Sequence, residues 1–250
     1  MKFLGIIPSR YASTRLEGKP LADICGKPMI QHVYERASEI LSDVFVATDD
    51  ERIEKVVKSF GGKVVMTSLE HNTGTNRCLE AYQKIQLNSS EKYDIVINIQ
   101  GDEPLLHSEQ ITGLMNCFED GTTEMATLVT KLKNKNELQS KSEAFVTFDI
   151  NKKALYFSRN VIPGMRDIEE LFSFEKTAYY KHVGMYAYTP DALKIFAELP
   201  QSNLELIEGL EQNRWLENGH SIVVNITEHD SISVDTIEDL EYVRKLCINK

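Results

Sequence analysis

Short apolar runs alternate with helix-periodic segments through the first half of the chain, and this constrains the fold more than any other feature. Phe3-Leu4-Gly5-Ile6-Ile7-Pro8 leads through a polar loop to Pro28–Leu41. There Met29, Ile30, Val33 and Ala37 can share a helical face, and Pro28 suits an opening position. Val44–Ala47 is the next apolar run, and Thr48-Asp49-Asp50 supplies capping and acidic residues for a helix through Phe60. Gly61-Gly62 ends that helix, and Lys63–Met66 reads as a strand. His71–Arg77 is a polar loop ahead of a helix through Ile85, and Asp94–Ile99 is a further buried strand. Runs that are apolar throughout belong to strands covered on both faces. The pattern predicts an α/β fold: a Rossmann-like, mostly parallel sheet flanked by helices.

From about Glu124 the pattern changes. Strand-like runs at Met125–Leu132, Ala144–Ile150, Ala154–Phe157 and Tyr180–Tyr188 have little helix between them, and Pro163–Lys176 reads as a polar loop with one short helical piece. Helices are predicted at Asp191–Leu199 and Leu204–Asn218, the latter with Leu206, Ile207, Leu210 and Leu216 as its buried stripe. A strand at Ser221–Ile226 and a helix at Thr236–Cys247 close the chain. We read one domain, residues 1–250, with a core at about 1–123 and 220–250. An inserted smaller antiparallel lobe spans about 124–219.

In an open parallel sheet, ligands bind beyond the carboxyl ends of the strands. Three polar clusters fall there: the Arg10–Lys19 loop, the His71–Arg77 loop and the turn Gln100-Gly101-Asp102-Glu103-Pro104. The first combines Arg10, Arg15 and Lys19 with Ser9, Ser13, Thr14 and Gly18, small residues that let backbone N–H groups approach oxygen beside fixed cations. That suits a polyphosphate, although a basic loop can also be a solvated turn. It contains neither the dinucleotide fingerprint nor the Walker pattern. The formal net charge of −10 argues against nucleic acid or an anionic membrane surface as partner, so an anionic substrate needs such a local pocket.

Asp102 follows a buried strand and Asp235 follows Ser231-Ile232-Ser233-Val234. Aimed into one crevice they would hold Mg²⁺; separately, Asp102 reads as a turn residue and Asp235 as a helix N-cap. Arg159 ends an apolar strand, suited to a substrate carboxylate or to an ordinary ion pair. His182 and Tyr186 share one side of a strand, either facing a sugar or packing half-buried. Glu211 and Gln212 lie in a predicted helix whose default is a solvated face.

Cys25, Cys78, Cys117 and Cys247 form no close pair in sequence, which suits reduced thiols in a cytoplasmic protein. The six histidines are dispersed, with no helical pair for a transition metal. Pro8 and Arg10 break the first apolar stretch, leaving it too short for a signal peptide or membrane span.

Together these segments resemble the 3-deoxy-manno-octulosonate cytidylyltransferases. The likeness rests on Ile7–Leu16, Gly18–Leu21, Gly26–Ile30, Val46–Asp49, Gly74-Thr75 with Arg77, Asn98–Pro104, Ala154–Arg159, Leu210–Gln212 and Val234–Thr236, in order and nearly end to end. It implies a fold of the nucleotide-diphospho-sugar transferase type. It also implies a Mg²⁺-dependent reaction of CTP with a 3-deoxy sugar acid, giving the CMP-sugar and pyrophosphate for lipopolysaccharide synthesis. By motif position Pro8, Ser9, Arg10, Arg15, Lys19, Gly74, Thr75, Arg77, Gln100 and Asp102 attend the nucleotide, with Arg15, Lys19, Asp102 and Asp235 catalytic. Asp102 and Asp235 match the metal-binding aspartates. Gln100, Arg159, His182, Tyr186, Glu211 and Gln212 match the sugar-facing positions. The family is usually dimeric through the lobe at 124–219.

Glu17 stands where proline is commoner, Glu143–Asp149 lacks a Val-Lys-Val character, and Asn213 replaces an apolar residue. Relatives acting on 8-amino-substituted sugars or sialic acids are the alternatives within this chemistry. A nucleotide-sugar-using glycosyltransferase is an alternative outside it, but no Asp-x-Asp pair stands at the strand end. A binding or regulatory protein with an abandoned site is disfavoured by the retained aspartates and cations.

Overall fold

The computed structural model describes residues 1–12, 15–140, 143–164 and 178–248. Ser13 and Thr14 of the predicted phosphate loop, and residues 165–176 of the predicted Pro163–Lys176 loop, lie outside the described residues.

β1 (Phe3–Ser9) occupies the middle of the sheet because both its faces are apolar: Leu4, Ile6 and Ile7 are fully buried. A 3₁₀ turn (Lys19–Leu21) and a small hairpin, β2 (Asp23–Ile24) with β3 (Lys27–Pro28), lead into α1 (Met29–Ser38). Then come β4 (Val44–Thr48), α2 (Glu51–Ser59), β5 (Lys63–Met66), α3 (Gly74–Leu87) and β6 (Ile95–Asn98). The Asp50 side chain accepts the Arg52 N–H at the start of α2, and Thr73 accepts that of Asn76 at the start of α3.

The second half runs α4 (Ser108–Asn116), β7 (Met125–Lys131), β8 (Phe145–Phe148), β9 (Ala154–Ser158), β10 (Tyr180–Tyr188), α5 (Pro190–Glu198), α6 (Asn203–Glu208), α7 (Gln212–Glu217), β11 (Val223–Thr227) and α8 (Ile237–Ile248). The sheet order is β11-β7-β10-β6-β1-β4-β5. Every neighbouring pair on that path is parallel except those made by β10, which is antiparallel to β6 and β7. The β8–β9 hairpin branches from the start of β10. The expected architecture, a mostly parallel sheet with a small antiparallel addition, is present. Within 124–219, however, β7 and β10 are hydrogen-bonded into the central path. β7 is buried from Met125 to Thr130, so it needs a neighbour on each edge and cover on each face.

Side chains of α3, α5 and α7 pack with Leu4 and Ile6 on one face, and those of α1, α2 and α4 with Ile7 on the other. β1 pairs with β4 on one side and β6 on the other, so the chain winds first one way and then the other. The ends of β1 and β6 therefore flank a switch-point crevice.

Three local expectations need correction. Leu204–Asn218 is two helices, because Gly209 adopts the left-handed conformation (φ 62°) that ends α6. Leu206 and Ile207, assigned to the buried stripe, are 64% and 72% exposed. α3 begins at Gly74, so Gly74, Thr75 and Arg77 stand in a helical first turn, not in a loop. α4 had no strong sequence signal: it is nine residues long and buries only Gln110, Ile111 and Leu114.

Candidate active site

The crevice opens where β1 and β6 end. Pro8, Ser9 and Arg10 leave β1, Gln100, Gly101 and Asp102 leave β6, and Arg15, Lys19 and Asp235 complete the first compartment. Gly101 is required here: a Cβ would lie 2.9 Å from Ser9 Oγ and 3.1 Å from the Pro8 carbonyl, so only glycine lets the two strand ends meet so closely. The backbone N–H of Val234 donates to the Asp102 carbonyl (2.9 Å), which draws the Asp235 loop against the turn after β6. Residues far apart in sequence thereby form one ion cluster. Lys19 Nζ lies 2.7 Å from Asp102 Oδ2 and 3.1 Å from Asp235 Oδ1, and Arg15 Nη2 lies 3.0 Å from the same Asp235 oxygen.

The helix-cap reading of Asp235 is replaced. Thr236 Oγ1 accepts the Asp239 N–H, while the Asp239 carboxylate accepts the N–H groups of Asp235 and Thr236. Asp235 is thus spared for the crevice. Glu103, next to Asp102, is 6% exposed, and burial pushes its carboxyl up to about 7. Asp102 lines the crevice.

A second compartment adjoins the first through Gln100 and is lined by Thr75, His182, Tyr186, Glu211 and Gln212. Two β10 residues, Gly184 and Met185, bulge out of the pairing with β7, and the Gly184 carbonyl accepts Gln100 Nε2–H at 2.7 Å. The inserted pair preserves the alternation, so His182 and Tyr186 do share one face. Thr127 donates its hydroxyl proton to the Met185 carbonyl (2.8 Å), so its oxygen accepts from His182 Nε2–H (3.0 Å). Burial, reinforced by the Arg159 charge, pulls His182 down to about 3, a neutral imidazole. Glu211 accepts from Thr75 Oγ1 (2.8 Å) and Arg214 Nη2 (2.7 Å), and burial pushes its carboxyl up. Gln212 Nε2 and Asn98 Oδ1 are buried without hydrogen-bond partners.

A third compartment joins Arg10 to Asn72, Thr73, Gly74 and Arg77. Arg77 lines this compartment with its guanidinium already bonded to Asp49 Oδ2 (2.6 Å) and Thr67 Oγ1 (2.6 Å). Gly74 lines the second and third compartments, whereas Thr75, assigned by motif to the nucleotide, lines only the second, bonded to Glu211. Arg159 is the first residue after β9 and lies outside the lining of these compartments. Its N–H donates to Glu208 Oε2 (2.7 Å), and Glu208 also accepts from Ser158 and Tyr156.

The two departures in this region resolve. Glu17 is exposed, does not line the first compartment, and faces the positive field of Arg52. Asn213 is fully buried with both amide groups on the Phe157 backbone, Nδ2 to its carbonyl at 2.9 Å and Oδ1 from its N–H at 3.4 Å. It ties α7 to the edge strand β9 and does not line the second compartment. Sequence reasoning missed Asn98 and Glu208. A lone amide ending the run Ile95-Val96-Ile97 was a signal for Asn98; Glu208 gave none.

A switch-point crevice that gathers Arg10, Arg15 and Lys19 with two carboxylates, beside a more buried polar chamber, defines a nucleotide-handling transferase site. The chain belongs to the cytidylyltransferase family, whose model matches residues 4–222. It is 51% identical over 254 residues to the 3-deoxy-manno-octulosonate cytidylyltransferase of Parabacteroides distasonis, covering 100% of both chains. It is 49% identical to the 8-amino-3,8-dideoxy-manno-octulosonate cytidylyltransferase of Shewanella baltica, covering 94% of each. A solved structure of CMP:2-keto-3-deoxy-manno-octonic acid synthetase complexed with CTP superposes with a TM-score of 0.90 at 41% identity, covering 100% of this chain and 99% of that one. Among the described residues, no helix is long and apolar enough to cross a membrane.

Proposed function

We propose that the protein transfers CMP from CTP to the anomeric hydroxyl of 3-deoxy-manno-octulosonate. The hydroxyl oxygen bonds to the α-phosphorus, the bond to the β-phosphate bridging oxygen breaks, pyrophosphate leaves, and the hydroxyl proton passes to solvent. The observation that carries this reading is the Lys19–Asp102–Asp235–Arg15 cluster at the switch point. Lys19 and Arg15 can exchange their carboxylate partners for phosphate oxygens, so the triphosphate would be met by charges already gathered. Gln100, fixed on Gly184, stands between the compartments and would orient the sugar acid toward the α-phosphate.

The donor set fits Mg²⁺. Asp102 and Asp235 are hard oxygen donors that already share one cationic atom, Lys19 Nζ, so both reach a common point. When bound there, Mg²⁺ would neutralise charge on the phosphate oxygens. The second compartment, with the neutral His182 and the unpartnered Gln212 amide, suits sugar hydroxyls, and Arg159, outside that lining but close enough for its charge to act on His182, would meet the carboxylate at the chamber's edge. A homodimer belongs to the same reading. Leu155, Leu206 and Ile207 on β9 and α6 are 63%, 64% and 72% exposed, and sedimentation would show whether a second copy covers them.

The test is pyrophosphate release from CTP with a panel of sugar acids. The octulosonate should give the highest kcat/KM, and preference for the 8-amino sugar or a sialic acid would reassign the substrate. Release with none of them would overturn the activity.

A further inference from the structure

We propose that His107, Glu109 and His229 form a second metal site, separate from Asp102 and Asp235, that takes a borderline transition ion such as Zn²⁺ or Co²⁺. The histidines are dispersed in sequence, but the fold brings two of them together where α4 begins. One ligand-type atom from each of the three residues lies within 4.8 Å of the others. The His107 and His229 rings stack with centroids 4.0 Å apart and planes 14° from parallel, and His229 Nε2 lies 3.8 Å from Glu109 Oε2. Buried Gln110 holds both backbones: its Oε1 accepts the His107 N–H at 2.9 Å, and its Nε2 reaches the His229 carbonyl at 3.5 Å.

Two imidazoles and a carboxylate are the donor set of an open zinc site, with water as fourth ligand. Zinc bonds of about 2.0–2.1 Å would set donor atoms roughly 3.4 Å apart in a tetrahedron. The stacked rings would tilt apart so that their nitrogen lone pairs converge on the ion, a movement open to side chains that are half-buried (His107, His229) or exposed (Glu109). Nitrogen donors favour such ions over Mg²⁺, which separates this site from the oxygen pair in the crevice. An ion here would tie the segment leaving the Asp102 turn to the loop that carries Asp235.

The experiment is calorimetric titration of the full chain, free of any histidine tag, with Zn²⁺ in excess Mg²⁺. We expect a Zn²⁺ site that Mg²⁺ does not displace, weakened at least tenfold in His107→Gln and in His229→Gln, since even loss of an outer partner costs 10–100-fold. Asp235→Asn should keep it. Equal affinity in wild type and both histidine variants, or displacement by Mg²⁺, would overturn the proposal. X-ray absorption on the zinc-loaded wild type is independent of variant folding: two imidazole ligands are expected, and an oxygen-only shell refutes the site.

Discussion

The two compartments that meet at Gln100 handle polarity in opposite ways. In the first, opposite charges are partly open to solvent and paired with one another, with side-chain exposures of 15% for Lys19, 28% for Asp102 and 32% for Asp235. In the second, burial has removed charge from His182, pushed the Glu211 carboxyl up and left the Gln212 amide unpartnered. Exposed ion pairs are weak and exchange readily, which suits a site that must release its internal partners to a triphosphate. A desolvated amide or neutral imidazole pays a standing cost that a hydroxyl of matching geometry removes, which suits selection of a sugar.

The sharpest break of this contrast is to remove a carboxylate from the charged side. Asp102→Ala and Asp235→Asn should each lower kcat on the order of 10³-fold, with circular dichroism unchanged. Near-wild-type turnover in Asp235→Asn would leave that residue a mere partner of Lys19. On the buried side, Asn213→Ala strips two hydrogen bonds from the Phe157 backbone and should cost about 2 kcal/mol in urea unfolding. Its ratio of activities among sugar acids should stay constant; a changed ratio would bring Asn213 back into the site.

The neutral imidazole predicts a pH dependence of stability. Unfolded His182 takes up a proton near 6.5 and the folded residue only near 3, so between those values the unfolded chain binds more protons. Stability therefore falls as pH drops below 6.5, by about 2 kcal/mol at pH 5 from this residue. Unfolding titrations at pH 5 and 7.5 should show that slope reduced in His182→Gln, and an unchanged slope would locate the effect elsewhere. Smaller still, Arg15→Ala should raise the KM for CTP about tenfold, roughly 1.4 kcal/mol, and leave that for the sugar acid nearly unchanged. Equal shifts would erase the division of labour. Smallest of all, Glu17→Pro should move the KM for CTP less than about twofold, since an exposed charge outside the crevice is screened.

Much of the fold was legible because burial on both faces writes itself into sequence. β5 and β10 fall at their predicted bounds, and β4, β6 and β7 within a residue or so. Helices were legible where the stripe was long, as in α1, and failed where it was short, as in α4. The predicted Leu204–Asn218 helix failed at Gly209, since apolar spacing alone does not report a residue in the left-handed conformation. In the site, Arg10, Arg15, Lys19, Gln100, Asp102 and Asp235 were legible as polar residues at strand ends. The reach of Arg77 was not, because its partner Asp49 comes from a different strand end.

By itself the sequence determined the parallel sheet, the crevice at its carboxyl edge and the side-chain chemistry available there, because periodicity and residue type are local properties. The tertiary structure decided which groups face each other. It placed Asp235 beside Asp102 and let Thr236 and Asp239 cap α8 instead. It turned Glu17 out of the crevice, spent Asn213 on β9 and brought His107 to His229. Those outcomes depend on packing between segments far apart in sequence, 216 residues in the case of Lys19 and Asp235, where distance and burial set each group's charge and partner.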